Sequence, residues 1–453
     1  MSYSDFIESK RIAIKPVGID VDSSSLNTNL FPFQRDIVKW ALKRGKSAVF
    51  AGTGLGKTLM QLEWANQIVK NTDGKVLIVT PLAVSSQTVN EGNKFGIESV
   101  YARNSDDCSK ITITNYEMID KFDPGKFNAV VIDESSILKS YTGAFRNELI
   151  DRFKNTPFKL ACTATPAPND FMELGNHSEF LNILTRTEML ATYFIHDGGE
   201  TQKWRLKGHA QSLFWQWAAQ WAVMLQHPSD LGYEDDRYTL PPLNINQITV
   251  ETQNKSQFLF NMNASTLQDR IIARRNTVDD RVNQCVELVK EKGGKWILWC
   301  DRNDESEALK KAIPGSVEVT GSQTPEEKSQ LLNDFANGKF DILITKPKIA
   351  AMGLNFQVCH QMAFIGLSDS WEQFYQAVRR CYRFGQDHPV DVYVVTADIE
   401  GEVVKNIERK EKEAQLMLKE MVSHISVHND LNMAQNQKTI YNGRVEPVIP
   451  DWL

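Results

Sequence analysis

Ten short apolar runs, five in each half of the chain, restrict the available folds more than any other feature. The first series is SAVFA (47–51), KVLIVT (75–80), ITIT (111–114), AVVID (129–133) and FKLACTAT (158–165). The second is KWILWCD (295–301), SVEVT (316–320), FDILITK (340–346), HQMAFIG (360–366) and VDVYVVT (390–396). Helical stretches separate the runs, and strands alternating with helices form parallel sheets covered on both faces. Two series in 453 residues predict two α/β lobes.

Between the series, residues 171–239 have a different texture, with few strand signals and Trp204, Trp215, Trp217 and Trp221 on apparently helical segments. This predicts a helical insertion whose tryptophans either pack or offer platforms for stacked bases, packing being the commoner use. GEVVKNIERKEKEAQLMLKEMV (401–422) interleaves charged and apolar residues at helical spacing and predicts a long helix laid across a lobe.

A net charge of −6 argues against a protein coated in positive charge, but leaves room for a cleft that holds phosphates. Basic clusters occur at 203–209, 269–276 and 379–383, each also readable as a solvated helix face. There is no apolar run of about 18 residues and no signal-like start, which predicts a soluble, intracellular chain with no membrane partner. The six cysteines form no CxxC pair and the eight histidines no ligand-spaced cluster, so free thiols and no zinc are expected.

AGTGLGKT (51–58) lies between a strand and a helical run, the setting a phosphate-binding loop requires. Gly52, Gly54 and Gly56, with Thr53, would let backbone N–H groups approach phosphates; Lys57 would contact the β and γ phosphates and Thr58 a Mg²⁺ ion. Ala51 replaces the first glycine of the strict pattern. About 75 residues later, AVVI ends in Asp133 and Glu134, at the sheet edge where nucleotides bind in open α/β folds. Asp133 suits a Mg²⁺ role, and Glu134 that of the base that polarises an attacking water. In QAVRRCYRFGQ (376–386), Arg380 and Arg383 stand three apart on one predicted helix face and could reach the γ-phosphate from a second lobe.

In this order the motifs resemble those of a superfamily-two helicase, and within it the Swi/Snf-type double-stranded DNA translocases, over roughly residues 30–400. PFQRDIVKW (32–40) resembles the adenine-recognising entry motif, with Phe33 and Gln34 at the base. TPLAVSSQ (80–87), TNYE (114–117), DESS (133–136) and TATPAPND (163–170) are similar to the next motifs of the first lobe. LPPLNINQITV (240–250) resembles the strand that closes that lobe, WILWCDRND (296–304) motif IV and TKPKIAAMGLNFQ (345–357) motif V. SWEQFYQAVRRCYRFGQDHPVDVYVV (370–395) ends its arginine motif in FGQ, similar to the Swi/Snf ending RIGQ.

The resemblance implies two tandem RecA-like lobes, with an N-terminal segment (1–29), lobe 1 (30–250) including the insertion, a linker (251–280), lobe 2 (281–400) and a C-terminal helix and tail (401–453). It implies hydrolysis of ATP with Mg²⁺, Gly353 at the nucleotide, and duplex or branched DNA held largely without regard to sequence. Ser85, Gln87, Thr114, Asn115, Arg302, Thr345, Lys346 and Trp371 fall where the family touches DNA. The compact stand-alone helicases of bacteriophages are a further resemblance, which would place the chain in a bacterial host's cytoplasm beside replication or recombination proteins. Ser135-Ser136 departs from the family's Ala-His, Arg379 stands where aspartate is common and Lys328 where arginine is frequent. A strand-separating DNA or RNA helicase, and a nucleotide-gated DNA scaffold without hydrolysis, remain alternatives.

Overall fold

Apolar side chains directed to alternate faces of the inner strands build a core on both faces of two separate sheets. The computed structural model describes residues 13–139, 143–196, 204–235, 238–250, 275–350, 355–397 and 401–427. Most of the expected linker, the tail and Gly353 therefore lie outside the described residues.

The first sheet comprises β1 (Lys46–Ala51), β2 (Val76–Thr80), β3 (Val100–Tyr101), β4 (Ile111–Asn115), β5 (Ala129–Asp133), β6 (Phe158–Thr163) and β9 (Ala222–Leu225), in the order β3-β4-β2-β5-β6-β1-β9 and parallel throughout. Leu77, Val79, Val130 and Ile132 enter one core; Val76, Ile78, Ala129 and Val131 enter the other. Helices α1 (Pro32–Arg44), α2 (Lys57–Thr72) and α3 (Leu82–Lys94) flank it. Such strands, buried on both faces, are what long crossover connections require.

The expected insertion does not stand apart from this lobe. It holds helices α4 (Leu174–Phe180), α5 (Arg186–Tyr193) and α6 (Gln211–Ala218), a hairpin of β7 (Phe194–His196) and β8 (Trp204–Leu206), and then β9, which pairs with β1 from Ala48↔Ala222 to Ala51↔Leu225. A run as short as AVML after a tryptophan-rich helix reads as more helix, and its burial makes it a strand. Trp215, Trp217 and Trp221 are under 2% exposed and pack around Phe214 and Phe50, so they are core residues and not platforms for bases.

The second sheet comprises β10 (Leu243–Val250), β11 (Trp296–Trp299), β12 (Val317–Glu318), β13 (Ile342–Thr345), β14 (Gln361–Phe364) and β15 (Val390–Ala397), in the order β10-β15-β14-β11-β13-β12 and again parallel. Its helices include α7 (Val278–Lys292), α8 (Asn303–Ala312), α9 (Pro325–Ala336) and α10 (Trp371–Val378). The strand at 243–250, expected to close the first lobe, is instead the edge of the second, in register with β15 from Leu243↔Val390 to Val250↔Ala397. Its mostly exposed side chains suit an edge strand, with Leu243 and Ile248 packed against the cores on opposite faces of the sheet.

Helix α11 (Gly401–Val427) crosses both lobes and not one. Val403, Ile407 and Ala414 join the core of the second, while Met417 and Met421 join that of the first. Burying such side chains contributes roughly 1.5–3 kcal/mol each. Between them, the Lys410 ammonium donates to Asn169 Oδ1 (3.0 Å) and to the Asp369 carbonyl (2.8 Å), one group from each lobe.

Candidate active site

The carboxyl ends of β1, β5 and β6 are neighbours, with Phe50 opposite Thr163 and Asp133 opposite Cys162. Everything that leaves those ends therefore meets in one place. β1 runs into the 51–58 loop, where Gly54 (φ 92°) and Gly56 (φ 77°) take left-handed conformations that side chains resist. A Cβ on Gly56 would lie 2.3 Å from Gln34 Nε2. Ala51 is tolerated in place of glycine because it is still strand, paired with Leu225. Gly56 caps α2, so the amides of that helix's first turn face the cleft together with the Thr58 hydroxyl. The Lys57 ammonium donates to the Ala51 (2.7 Å) and Gly52 (3.2 Å) carbonyls across the loop's mouth.

Asp133 ends β5 and accepts from Gln61 Nε2 at 2.7 Å; Gln61 lies four residues after Lys57 on the same face of α2. Glu134 then turns at φ 53°, an uncommon conformation for a residue with a long side chain, and its Oε2 accepts from the Thr163 hydroxyl at 3.2 Å. Desolvation raises the affinity of both carboxyls for a proton, opposed at Asp133 by the Gln61 hydrogen bond and at Glu134 by the Lys57 charge. Desolvation likewise lowers the Lys57 pKa, against the pull of Glu134 and Asp133.

From the second lobe, Arg380 and Arg383 line the same cleft. They do not share a helix face as expected, because α10 stops at Val378 and a tight turn carries both arginines, ending at Gly385 (φ 86°). Burial lowers each guanidinium pKa to about 10; the Glu134 carboxylate opposes this at Arg380, and repulsion from Arg380 adds to it at Arg383. Phe384 follows, so close that a Cβ on Gly54 would meet its Cβ at 3.4 Å. The lobes are thus closed on a cavity of about 490 Å³.

At the far end of the cavity, Gln34 accepts from the Phe31 amide (2.9 Å) and donates to the Leu55 carbonyl (2.8 Å). Phe31 lines the cavity, whereas Phe33, expected there, is 2% exposed and packs on Tyr233 and Tyr238 in the core. The Phe31 and Phe33 rings stack on one another with centroids 6.4 Å apart, Phe31 on the cavity side. Tyr238, hidden in the insertion, completes this wall and leans on Phe384 with centroids 5.3 Å apart. Thr53 and Gly54 line the cavity; Gly52 sits behind it, its amide bonded to the Leu225 carbonyl.

Most residues expected at DNA have other tasks. Ser85 is buried against the Thr80 hydroxyl (2.8 Å), Thr114 donates to the Ala102 carbonyl (3.0 Å), Asn115 to the Tyr101 hydroxyl (2.7 Å) and Thr345 to the Val319 carbonyl (3.1 Å). Trp371 is 6% exposed and packs on Tyr375. These side chains brace strand ends, and their burial removes them as side-chain contacts to DNA. Gln87 is exposed but borders the nucleotide-sized cavity. Arg302, paired with Asp304 (2.7 Å), and Lys346, donating to Asn303 Oδ1 (2.5 Å), are partly exposed at the edge of the second sheet.

Two family models fall on the two lobes: "Type III restriction enzyme, res subunit" on residues 27–168 and "Helicase conserved C-terminal domain" on residues 280–385. The mouse protein "DNA annealing helicase and endonuclease ZRANB3" is 22% identical over 429 residues, covering 84% of this chain and 40% of that protein. The Xenopus tropicalis "SWI/SNF-related matrix-associated actin-dependent regulator of chromatin subfamily A-like protein 1" is 29% identical over 177 residues, 36% of this chain and 18% of that one. Helicase-family sequence thus falls on the second lobe, and the chain is similar to Swi/Snf-type proteins.

The chain spans two fifths or less of the length of those relatives. A solved structure, "Sulfolobus solfataricus SWI2/SNF2 ATPase core in complex with dsDNA", aligns with a TM-score of 0.42 at 16% identity, over 90% of this chain and 96% of that one. Where the Swi/Snf pattern has a histidine after its acidic pair, this chain has Ser135-Ser136, and Ser135 Oγ lies 3.1 Å from Nε2 of the buried His177. Burial lowers the His177 pKa to about 4, so the ring is neutral at pH 7. Arg379, in the aspartate position, is held between the rings of Tyr375 and Tyr382 at 5.1 Å from each.

Proposed function

We propose that this chain is a DNA-stimulated ATPase that converts ATP hydrolysis into movement along duplex DNA and remodelling of branched DNA. The observation that carries the reading is the convergence of Lys57, Asp133 and Glu134 from one lobe with Arg380 and Arg383 from the other in a single cavity. An arginine supplied across a cleft stabilises the charge of phosphoryl transfer only when the cleft is shut, which makes closure and chemistry one event. Glu134 orients the attacking water, Lys57 and the loop amides hold the phosphates, and Phe31, Gln34 and Tyr238 wall the base.

The donor set fits Mg²⁺: the Thr58 hydroxyl and the Asp133 carboxylate are hard oxygen donors, and a cation beside them would relieve the cost of burying two neighbouring carboxylates. Bound there, Mg²⁺ would neutralise charge on the β and γ phosphates. DNA as the partner is supported by what the relatives are named for and by the FGQ ending. Grip would come from backbone amides at the strand ends together with Arg302 and Lys346, mainly on phosphates and with little sequence reading.

ATP turnover measured with single-stranded DNA, duplex, fork, four-way junction and RNA tests the assignment. Duplex or junction DNA should stimulate most, and Glu134→Gln should abolish stimulation while nucleotide binding persists. Equal turnover of wild type and variant would remove the ATPase reading; preferential stimulation by RNA would remove the DNA reading.

A further inference from the structure

Helix α10 begins with a carboxylate in an unexpected place. An acidic residue in a helix's first turn is ordinarily solvated, yet Glu372 is 5% exposed and inserted into the first lobe. Its Oε1 accepts from the Thr165 hydroxyl at 3.2 Å and its Oε2 from the Lys139 ammonium. The Thr165 amide donates to the Thr163 hydroxyl at 3.1 Å, and that hydroxyl donates to Glu134 Oε2 at 3.2 Å. Thr163 and Thr165 are both buried.

Three hydrogen bonds, linked through the covalent frame of Thr165, thus join Glu134 to the helix that leads directly into Arg380 and Arg383. We infer that Glu372 is a positioning residue that ties closure of the lobes, through Thr165 and Thr163, to the orientation of Glu134. Opening would separate Glu372 from Thr165 and Lys139, leaving the buried Thr165 hydroxyl without its acceptor and the loop that holds Thr163, the donor to Glu134, without its anchor in the second lobe. Such half-broken networks are costly, so the path favours the extremes, shut with Glu134 aligned or open with it released. The inference rests on the hydrolysis reading for its consequence, but the interlobe contact can be tested separately.

With duplex DNA present, Glu372→Ala and Thr165→Val should each lower kcat about tenfold while KM for ATP stays within about twofold, and the double variant should be no worse than the single ones by more than about twofold, as members of one path behave. Thr165→Ser, which keeps the hydroxyl, should restore turnover. If Glu372→Ala fails to fold, Glu372→Gln, which keeps the acceptor but loses the charge facing Lys139, should give an intermediate loss. Small-angle scattering of the nucleotide-free protein should give a larger radius of gyration for Glu372→Ala than for wild type. Multiplying losses in the double variant, a raised KM at unchanged kcat, or identical scattering would overturn the relay. A wild-type protein without turnover would remove the hydrolysis reading instead, and scattering alone would then decide whether Glu372 holds the lobes together.

Discussion

The nucleotide-facing end of the first lobe and the strand ends expected at DNA are built from similar motifs but are in opposite physical states. At the first, side chains are perturbed: Glu134 sits at φ 53°, carboxyls and cations alike are shifted by burial, and Lys57 is satisfied only by its own loop's carbonyls. At the second, Ser85, Thr114, Asn115 and Thr345 are engaged with neighbouring groups of their own lobe. Strain and buried charge mark where chemistry is to happen. Burial and hydrogen bonds within the lobe mark residues that shape a loop so that its backbone can bind.

The sharpest way to break this contrast is Arg380→Ala. It should cost about 10³-fold or more in DNA-stimulated kcat with nucleotide binding retained, the range for an arginine supplied in trans, measured by steady-state turnover and equilibrium nucleotide titration. A loss below tenfold would mean the second lobe supplies no charge to the reaction. Next in size, Trp217→Ala should lower stability by about 3–5 kcal/mol through cavity formation while leaving the salt dependence of DNA binding unchanged; denaturant unfolding and binding isotherms separate the two.

A third test uses pH. The Glu134 carboxyl has its pKa raised by burial in the folded, nucleotide-free protein. Folding therefore gains from its protonation below the unfolded pKa of about 4, and that gain is lost as pH rises through the folded value. Glu134→Gln should accordingly melt higher than wild type at neutral pH, with the gap closing near pH 4. Turnover of the wild type should rise with pH over the same interval, because the base must be ionised.

The smallest effects lie on the DNA side. Lys346→Ala should weaken DNA binding several-fold and lower the salt slope by about one, whereas Ser85→Ala should stay within about twofold. Equal losses for the two would return Ser85 to the interface.

Chemistry was legible in the sequence because phosphate loops need glycine at particular backbone angles and cations need carboxylates at a strand's end; Gly54, Gly56, Lys57, Asp133 and Glu134 could be read singly. Topology was legible only where runs were long. β9 has four residues and is hidden by the tryptophans before it, and the partner of β10 depends on a strand some 140 residues later, which no local pattern reveals. Phe31 went unread because it precedes the helix as its N-cap, whereas Phe33, inside the first turn, is buried in the core. Glu372 left no signal at all, since its meaning comes from Lys139 and Thr165 in the other lobe.

The path of α11 has a consequence for the order in which the molecule is made. Synthesis proceeds from the N-terminus, and domains generally fold as they emerge. Here the first lobe's core includes Met417 and Met421, so it stays incomplete until nearly two hundred residues beyond β9 have been added. The first lobe must wait, with an apolar groove uncovered, while the second is built. Helix α11 thus seals the first lobe only once it has been made, and a chain cut short before it would leave that groove open to proteolysis or aggregation.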